Sequence, residues 1–328
     1  MTGSNPRQAI PLVRRYPALA SIPRVPLGEY PTPVASVRVP GLEAPLWIKR
    51  DDLASTVLGG NKVRALEFLL AGVQPGDVLL TGGGEGSTHV LATAVHASRL
   101  GARVHAVRWR HEMHAVSEDV ARRSVRECAV VETSGTPLGG IGRTAWRRLT
   151  LRARWIPFGG TSARGILGHV NAALELADQV DAGELPIPTR VVVPLGTGGT
   201  AAGLALGFAA AGMRTEVVGA RVVPRIATGR ARVLLRARAT ARWVHRTTGV
   251  ALPRVNASAV HVVHDAYAGA YGRVSPLASE AAEVMERVSG MRLDATYSAK
   301  AFAVALRIAR AADGVTLFWS TFDARWLR

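Results

Sequence analysis

Cysteine is almost absent from this chain of 328 residues, where Cys128 stands alone. A single cysteine excludes an internal disulfide framework, and a reducing, cytoplasmic address is expected. Lysine is nearly as scarce: of 41 basic residues only Lys49, Lys62 and Lys300 are Lys. Acidic residues are also few, 24 against those 41, giving a formal charge of +17. Such an excess ordinarily raises nucleic-acid binding. Here nearly all of it is Arg, which reads as a compositional preference. The densest stretch, Arg221 to Arg246 with eight Arg, has Trp243 as its only aromatic and lacks helix-turn-helix, zinc-finger or RNP spacing. A solvated basic helix face is expected there, with no specific nucleic-acid partner. Long apolar runs are lacking too. The longest uncharged one, Val191 to Met213, is broken by Pro194 and Gly196-Thr-Gly-Gly-Thr200, so it predicts a strand, loop and helix in place of a membrane span. The N-terminal string MTGSNPRQAIPLVRRY has neither the apolar core nor the cleavage site of a signal peptide, in keeping with the cytoplasmic expectation.

What is present is core-forming material, 48% hydrophobic residues against 20% charged, enough for two packed lobes. Pro45 to Asp52 predicts a strand running into a charged turn. Val78-Leu-Leu80 reads as a short strand ending in Thr81-Gly-Gly-Gly84, Thr88 to Leu100 as a helix closed by Gly101, and Val104 to Val107 as the next strand. The rhythm returns after Gly159-Gly160. Ile166, Val170, Ala173, Leu174 and Ala177 form one helical stripe, Val191-Val-Val193 a buried strand, Ala201 to Ala211 a helix and Glu216 to Ala220 a strand. Two such blocks predict two α/β lobes with parallel-type sheets flanked by helices and an active site between them.

Gly196, Thr197, Gly198, Gly199 and Thr200 lie where a strand turns into a helix. Glycines there let the backbone approach a ligand, and the free N–H groups and dipole of the helix start favour an anion. The string is not a P-loop, since GxxxxGK[ST] is missing, and it does not meet GxGxxG. Packing of the helix alone would also account for it. Lys62, in Gly59-Gly-Asn-Lys-Val-Arg64, opens a second helical pattern. Burial there would lower its pKa and free the amine as a nucleophile, a role no Arg can take. A phosphate cradle and such a lysine together suggest pyridoxal 5'-phosphate, whose phosphate needs the first and whose aldehyde needs the second.

The sequence at this point resembles the fold-type-II pyridoxal-phosphate enzymes, and within them the D-cysteine desulfhydrase and 1-aminocyclopropane-1-carboxylate deaminase group. The resemblance is carried by Leu46-Trp-Ile-Lys-Arg-Asp-Asp-Leu53, Gly59 to Arg64, Thr81 to Gly84 with Ser87-Thr-His89, Phe158-Gly-Gly160, Gly196 to Thr200, Tyr271-Gly272 and Asp294 to Ala301, in the family's order along most of the chain. It implies a large cofactor-binding domain of residues 1–64 and 161–328, a small α/β domain of residues 65–160, and a homodimer. It implies that Lys62 forms the Schiff base, that Asn61, Thr88, Ser298, Thr321 and the loop from Gly196 to Thr200 hold the cofactor, and that Ser87, Thr88, His89 and Thr321 meet the substrate. Ser87 would hold the substrate carboxylate or relay a proton, and Tyr271 and Tyr297 match the family's active-site tyrosines. As residues alone, Ser87 reads equally as a helix cap and each tyrosine as a core aromatic.

Ser298 falls where the deaminases carry Glu and the desulfhydrases a hydroxyl facing the pyridine nitrogen, and Thr321 where the deaminases carry Leu. Both imply a lyase acting on a small amino acid by α,β-elimination, D-cysteine-like, releasing a 2-oxo acid and ammonia. Deaminase-like ring opening, β-replacement or racemisation are the alternatives within the chemistry, and a catalytically degenerate or nucleic-acid-binding protein the alternative outside it. Two departures stand out. Thr88 replaces the family's Asn, and Ser320-Thr-Phe-Asp323 replaces His-Thr-Gly-Gly, bringing bulk and negative charge toward the site and an expected change of substrate pocket. His111-Glu-Met-His114 lacks metal-site spacing, and no metal is expected. Cys128 is expected to be a buried small residue.

Overall fold

The computed structural model describes residues 9–326; of the N-terminal string read for a leader, the first eight residues lie outside the described ones. Ten strands build two sheets. They are β1 (Val34–Val37), β2 (Leu46–Arg50), β3 (Val78–Gly84), β4 (Arg103–Trp109), β5 (Val130–Ser134), β6 (Arg154–Trp155), β7 (Arg190–Leu195), β8 (Glu216–Arg221), β9 (Val260–Val263) and β10 (Thr316–Ser320). The larger sheet has the order β1-β2-β10-β7-β8-β9 and the smaller β5-β4-β3-β6. Every pairing except β1 with β2 is parallel. Parallel neighbours need crossovers, and helices supply them: α1 (Pro11–Arg15), α2 (Lys62–Leu69), α3 (Thr88–Ser98), α4 (Ala115–Glu127), α5 (Pro137–Thr150), α6 (Ala163–Asp181), α7 (Gly199–Ala211), α8 (Arg230–Thr248), α9 (Pro276–Ser289) and α10 (Ser298–Ala311).

The uncharged run from Val191 divides as its breakers predict: β7, a glycine turn, and the nearly all-buried α7. Among the described residues no helix is long and apolar enough to cross a membrane. The strand read at Val78 to Leu80 runs on through Thr81 to Gly84 as β3, because β4 continues to Trp109 and pairs with it residue by residue. Cys128 is buried as expected, at the end of α4 before β5.

The turn after β2 is charged but not solvated. Lys49, Asp51, Arg64 and Glu175 are all buried. Arg64 donates to Asp51 and Glu175, Lys49 to Glu175 at 2.7 Å, and Trp319 Nε1 to Asp51. Burial alone would raise the Glu175 carboxyl, but the Arg64 and Lys49 cations hold it at about 2. This cluster ties β2, α2, α6 and β10 together, with Arg64 two residues along α2 from Lys62. The C-terminal ends of the parallel strands, where ligands of such sheets bind, open onto one cavity.

Candidate active site

The cavity has a volume of about 810 Å³ and takes its walls from both sheets. The ends of β3 and β4 contribute Gly84, Ser87 and Trp109, those of β7 and β8 the Gly196–Thr200 loop and Val223, that of β10 Thr321 and Phe322, and the segment after β9 contributes Tyr271. Lys62, the first residue of α2, lines it as well.

The three lysines separate cleanly. Lys49 is locked in the buried ion cluster. Lys300, on α10, gives its Nζ to the Tyr267 carbonyl at 3.4 Å and does not line the cavity. Lys62 has no hydrogen-bond or ion-pair partner among the described residues, and loss of hydration brings its pKa from 10.5 down to about 8. Two buried imidazoles lie close enough for its charge to act on them: His89, lowered by burial and then by Lys62 to about 3, and His169 of α6, pushed well below its ordinary value for the same reasons. Both are neutral at physiological pH. His169 escaped the sequence reading because it sits within the apolar stripe of α6; a lone imidazole among Leu, Gly and Val was its only signal.

Asn61, beside the lysine, reaches across to the glycine loop. Its Nδ2 donates to Thr200 Oγ1 at 2.8 Å, and Thr200 Oγ1 lies 3.4 Å from His169 Nε2. Gly60 adopts φ +103°, and a Cβ there would come within 2.7 Å of the Thr321 carbonyl, so glycine is needed for this approach. The Thr321 carbonyl also accepts from Asn61 N–H at 3.1 Å. The loop is held by Thr161, whose hydroxyl lies 2.6 Å from that of Thr197. It opens α7 with Gly198 in the left-handed region and no side-chain cap, which leaves the first N–H groups of α7 for a ligand.

Ser87 serves both readings the sequence allowed. It caps α3, accepting from Val90 N–H at 3.4 Å, and it lines the cavity with Thr88. His89 faces inward and is bound through Nε2 to Thr81 Oγ1 at 3.0 Å. Tyr271 and Tyr297 come together with their hydroxyls hydrogen-bonded, both in the cavity wall. Burial raises the Tyr271 phenol to about 12 and that of Tyr297 further, so the pair is neutral at physiological pH. Asp294 fixes the second tyrosine by accepting from the Tyr297 and Ser298 N–H groups. Ser298, next to the wall residue Tyr297 but not itself lining the cavity, has a buried Oγ without a partner among the described residues.

One expectation is corrected. The negative charge of Asp323 does not enter the cavity: its carboxylate accepts from Gly59 N–H at 3.0 Å and pairs with Arg325. Thr321 and Phe322 of the altered string reach the wall, and the Phe322 ring packs with the core of the smaller sheet. The basic stretch is corrected in part. Most of the Arg of α8 are exposed, but Arg221 is buried against His264 and Val223, and Arg236 Nη1 is buried. His111 and His114 bind the Glu112 carbonyl and Thr296 Oγ1, and no metal-holding cluster occurs among the described residues.

An unpartnered lysine of lowered pKa, an uncapped glycine-rich helix start and the orphaned Ser298 hydroxyl fit the aldehyde, phosphate and ring nitrogen of pyridoxal phosphate in turn. Residues 25–318 match the model of the family described as pyridoxal-phosphate dependent enzyme. The chain is 38% identical over 320 residues to a nocardicin C-9' epimerase of Nocardia uniformis subsp. tsuyamanensis, covering 94% of each. It is 31% identical to a D-cysteine desulfhydrase of Salmonella paratyphi A, over 87% of this chain and 88% of that one. A solved ACC deaminase homologue shares the fold, with TM-score 0.74, 24% identity and 94% of each chain covered.

Proposed function

The chain belongs to the pyridoxal-phosphate dependent enzymes, in the group of D-cysteine desulfhydrase and ACC deaminase, and from that premise we propose that it removes the α-proton of an amino acid and expels its β-substituent, giving a 2-oxo acid and ammonia. The unpartnered Lys62 carries this reading. When bound, the cofactor supplies an aldehyde for an amine and a conjugated ring that draws electrons from the α-carbon. Lys62 would hold the cofactor, and its amine, with a pKa lowered to about 8, would take the proton from the α-carbon near neutrality. Asn61, Thr88, Thr321 and the loop from Gly196 to Thr200 bind the cofactor, and Ser298 meets its ring nitrogen. A hydroxyl there stabilises a protonated ring less than a carboxylate, which suits expulsion of a good leaving group. Ser87, Thr88, His89 and Thr321 orient the substrate. The Tyr271–Tyr297 pair can hand a proton to the departing group through one phenol while the other re-donates.

A second reading is return of the proton to the α-carbon with inversion and no elimination. It is favoured by the 38% identity to an epimerase. Incubation with D-cysteine and other amino acids in deuterated water separates the two. Elimination yields 2-oxo acid and ammonia, whereas inversion yields only deuterated, stereochemically mixed amino acid. Retained turnover in Lys62→Ala would sink both.

The proposal includes a large domain of residues 1–64 and 161–328 and a small one of residues 65–160, supported by sheet membership, with the first boundary falling inside α2. It also includes a homodimer and a cytoplasmic address, the latter supported by the lone Cys128, whose thiol burial raises to about 12.

A further inference from the structure

Arg236 and Thr228 have no part in the site as read so far. Thr228, just before α8, is 1% exposed, and its hydroxyl has no partner. Arg236, two turns into α8, has a buried Nη1 with no partner and no carboxylate paired with it among the described residues; the charged side chain acting on it is Arg232, of like sign. Both orphaned groups face the same spot. A Cβ built on Gly198 would lie 3.1 Å from Arg236 Nη1 and 3.1 Å from Thr228 Oγ1. Gly198 is the uncapped start of α7, in the loop that presents its N–H groups to the cavity. Residue 227, next to Thr228, lines that cavity, as does Arg232.

A buried guanidinium nitrogen without an acceptor is costly unless an anion satisfies it. The described residues offer none here, and Lys62 is committed to the other end of the cofactor. We propose that Arg236, with Thr228, completes the cofactor-phosphate site of this protein from α8, giving the dianion the fixed positive charge that the glycine loop lacks. The glycine at 198 then has a second use, since any side chain would close the approach from α8 to the loop.

The test is cofactor affinity rather than turnover. Cofactor-free wild type, Arg236→Met, Arg236→Lys and Thr228→Val are titrated with pyridoxal 5'-phosphate and, separately, with pyridoxal, following the absorption band of the lysine-bound cofactor. Arg236→Met is expected to weaken pyridoxal phosphate about 10- to 100-fold, as for loss of a charge-assisted hydrogen bond. Arg236→Lys should restore part of this, Thr228→Val should cost a smaller factor, and pyridoxal binding should be unchanged in all three. The melting temperature of cofactor-free Arg236→Met should equal or exceed that of wild type, because an unpaired buried cation has been removed. Equal weakening of both ligands, no weakening of either, a rise in substrate KM alone, or a fall in the cofactor-free melting temperature would overturn the assignment. The readouts are independent of which reaction is catalysed.

Discussion

Lys62 should destabilise the protein that carries it, and the size of the penalty follows from its surroundings. Its pKa in the folded chain is about 8, through loss of hydration, against 10.5 for an ordinary lysine. Between those values the unfolded chain holds a proton that the folded chain has released, so stability rises with pH through this window and the full penalty applies below pH 8. At about 1.4 kcal/mol for each pH unit the penalty is at most about 3.5 kcal/mol, reduced by the water that reaches a partly exposed side chain. Lys62→Met keeps the volume and removes the charge. With an unfolding entropy of about 2.1 cal/mol/K per residue, the cofactor-free variant should melt at most about 5 °C above wild type at pH 7. The advantage should shrink as pH rises from 8 toward 10.5. Lys300, also lowered to about 8, mainly by burial, titrates in the same range but is common to both proteins and cancels. Thermal melts of the two cofactor-free proteins at pH 7, 8.5 and 10 provide the assay. A variant no more stable at pH 7, or an advantage that does not narrow with pH, would refute the reasoning.

Glu175→Gln removes the negative charge shared by Lys49 and Arg64 and turns one accepting oxygen into a donor, and by analogy with other broken buried pairs should cost about 3–5 kcal/mol in denaturant unfolding. Because Arg64 and Lys49 depress the Glu175 carboxyl, the stability it contributes is full above the unfolded value of 4.5 and lost as pH falls toward about 2, a slope Glu175→Gln should lack in acid titration. Asn61→Ala cuts the 2.8 Å bond to Thr200 and should weaken cofactor binding by about tenfold in spectrophotometric titration, a typical value for one hydrogen bond. Tyr297→Phe breaks the phenol pair and should lower kcat by about 100-fold or more with cofactor affinity unchanged, if the pair moves a proton. Asp323→Ala should lower the melting temperature by freeing Gly59 N–H and Arg325, yet leave substrate preference unaltered.

The order of strands and helices was legible because β7 and α7 are marked by a β-branched run, a glycine turn and an alanine-rich helix, each a local signal. Asn61, Lys62 and the loop from Gly196 were legible for the same reason, as spaced strings. What local pattern does not encode is which charges are buried. Lys49, Asp51 and Arg64 read as a charged turn and helix start until Glu175, more than a hundred residues on, closes the cluster. Asp323 read as a charge in the pocket because its partner Gly59 is equally remote in sequence. Arg236 was one of eight Arg in a basic stretch, and only the packing of α8 beside Gly198 distinguishes it.

The account rests on Lys62 as the residue that binds the cofactor. The most direct measurement is borohydride reduction of the protein loaded with pyridoxal phosphate, followed by digestion and mass mapping, with Lys62→Ala alongside. The account predicts a visible band that reduction abolishes, a single pyridoxyl mass on the peptide containing Lys62, and neither in the variant. The same band in Lys62→Ala, or the label on Lys49 or Lys300, would contradict it.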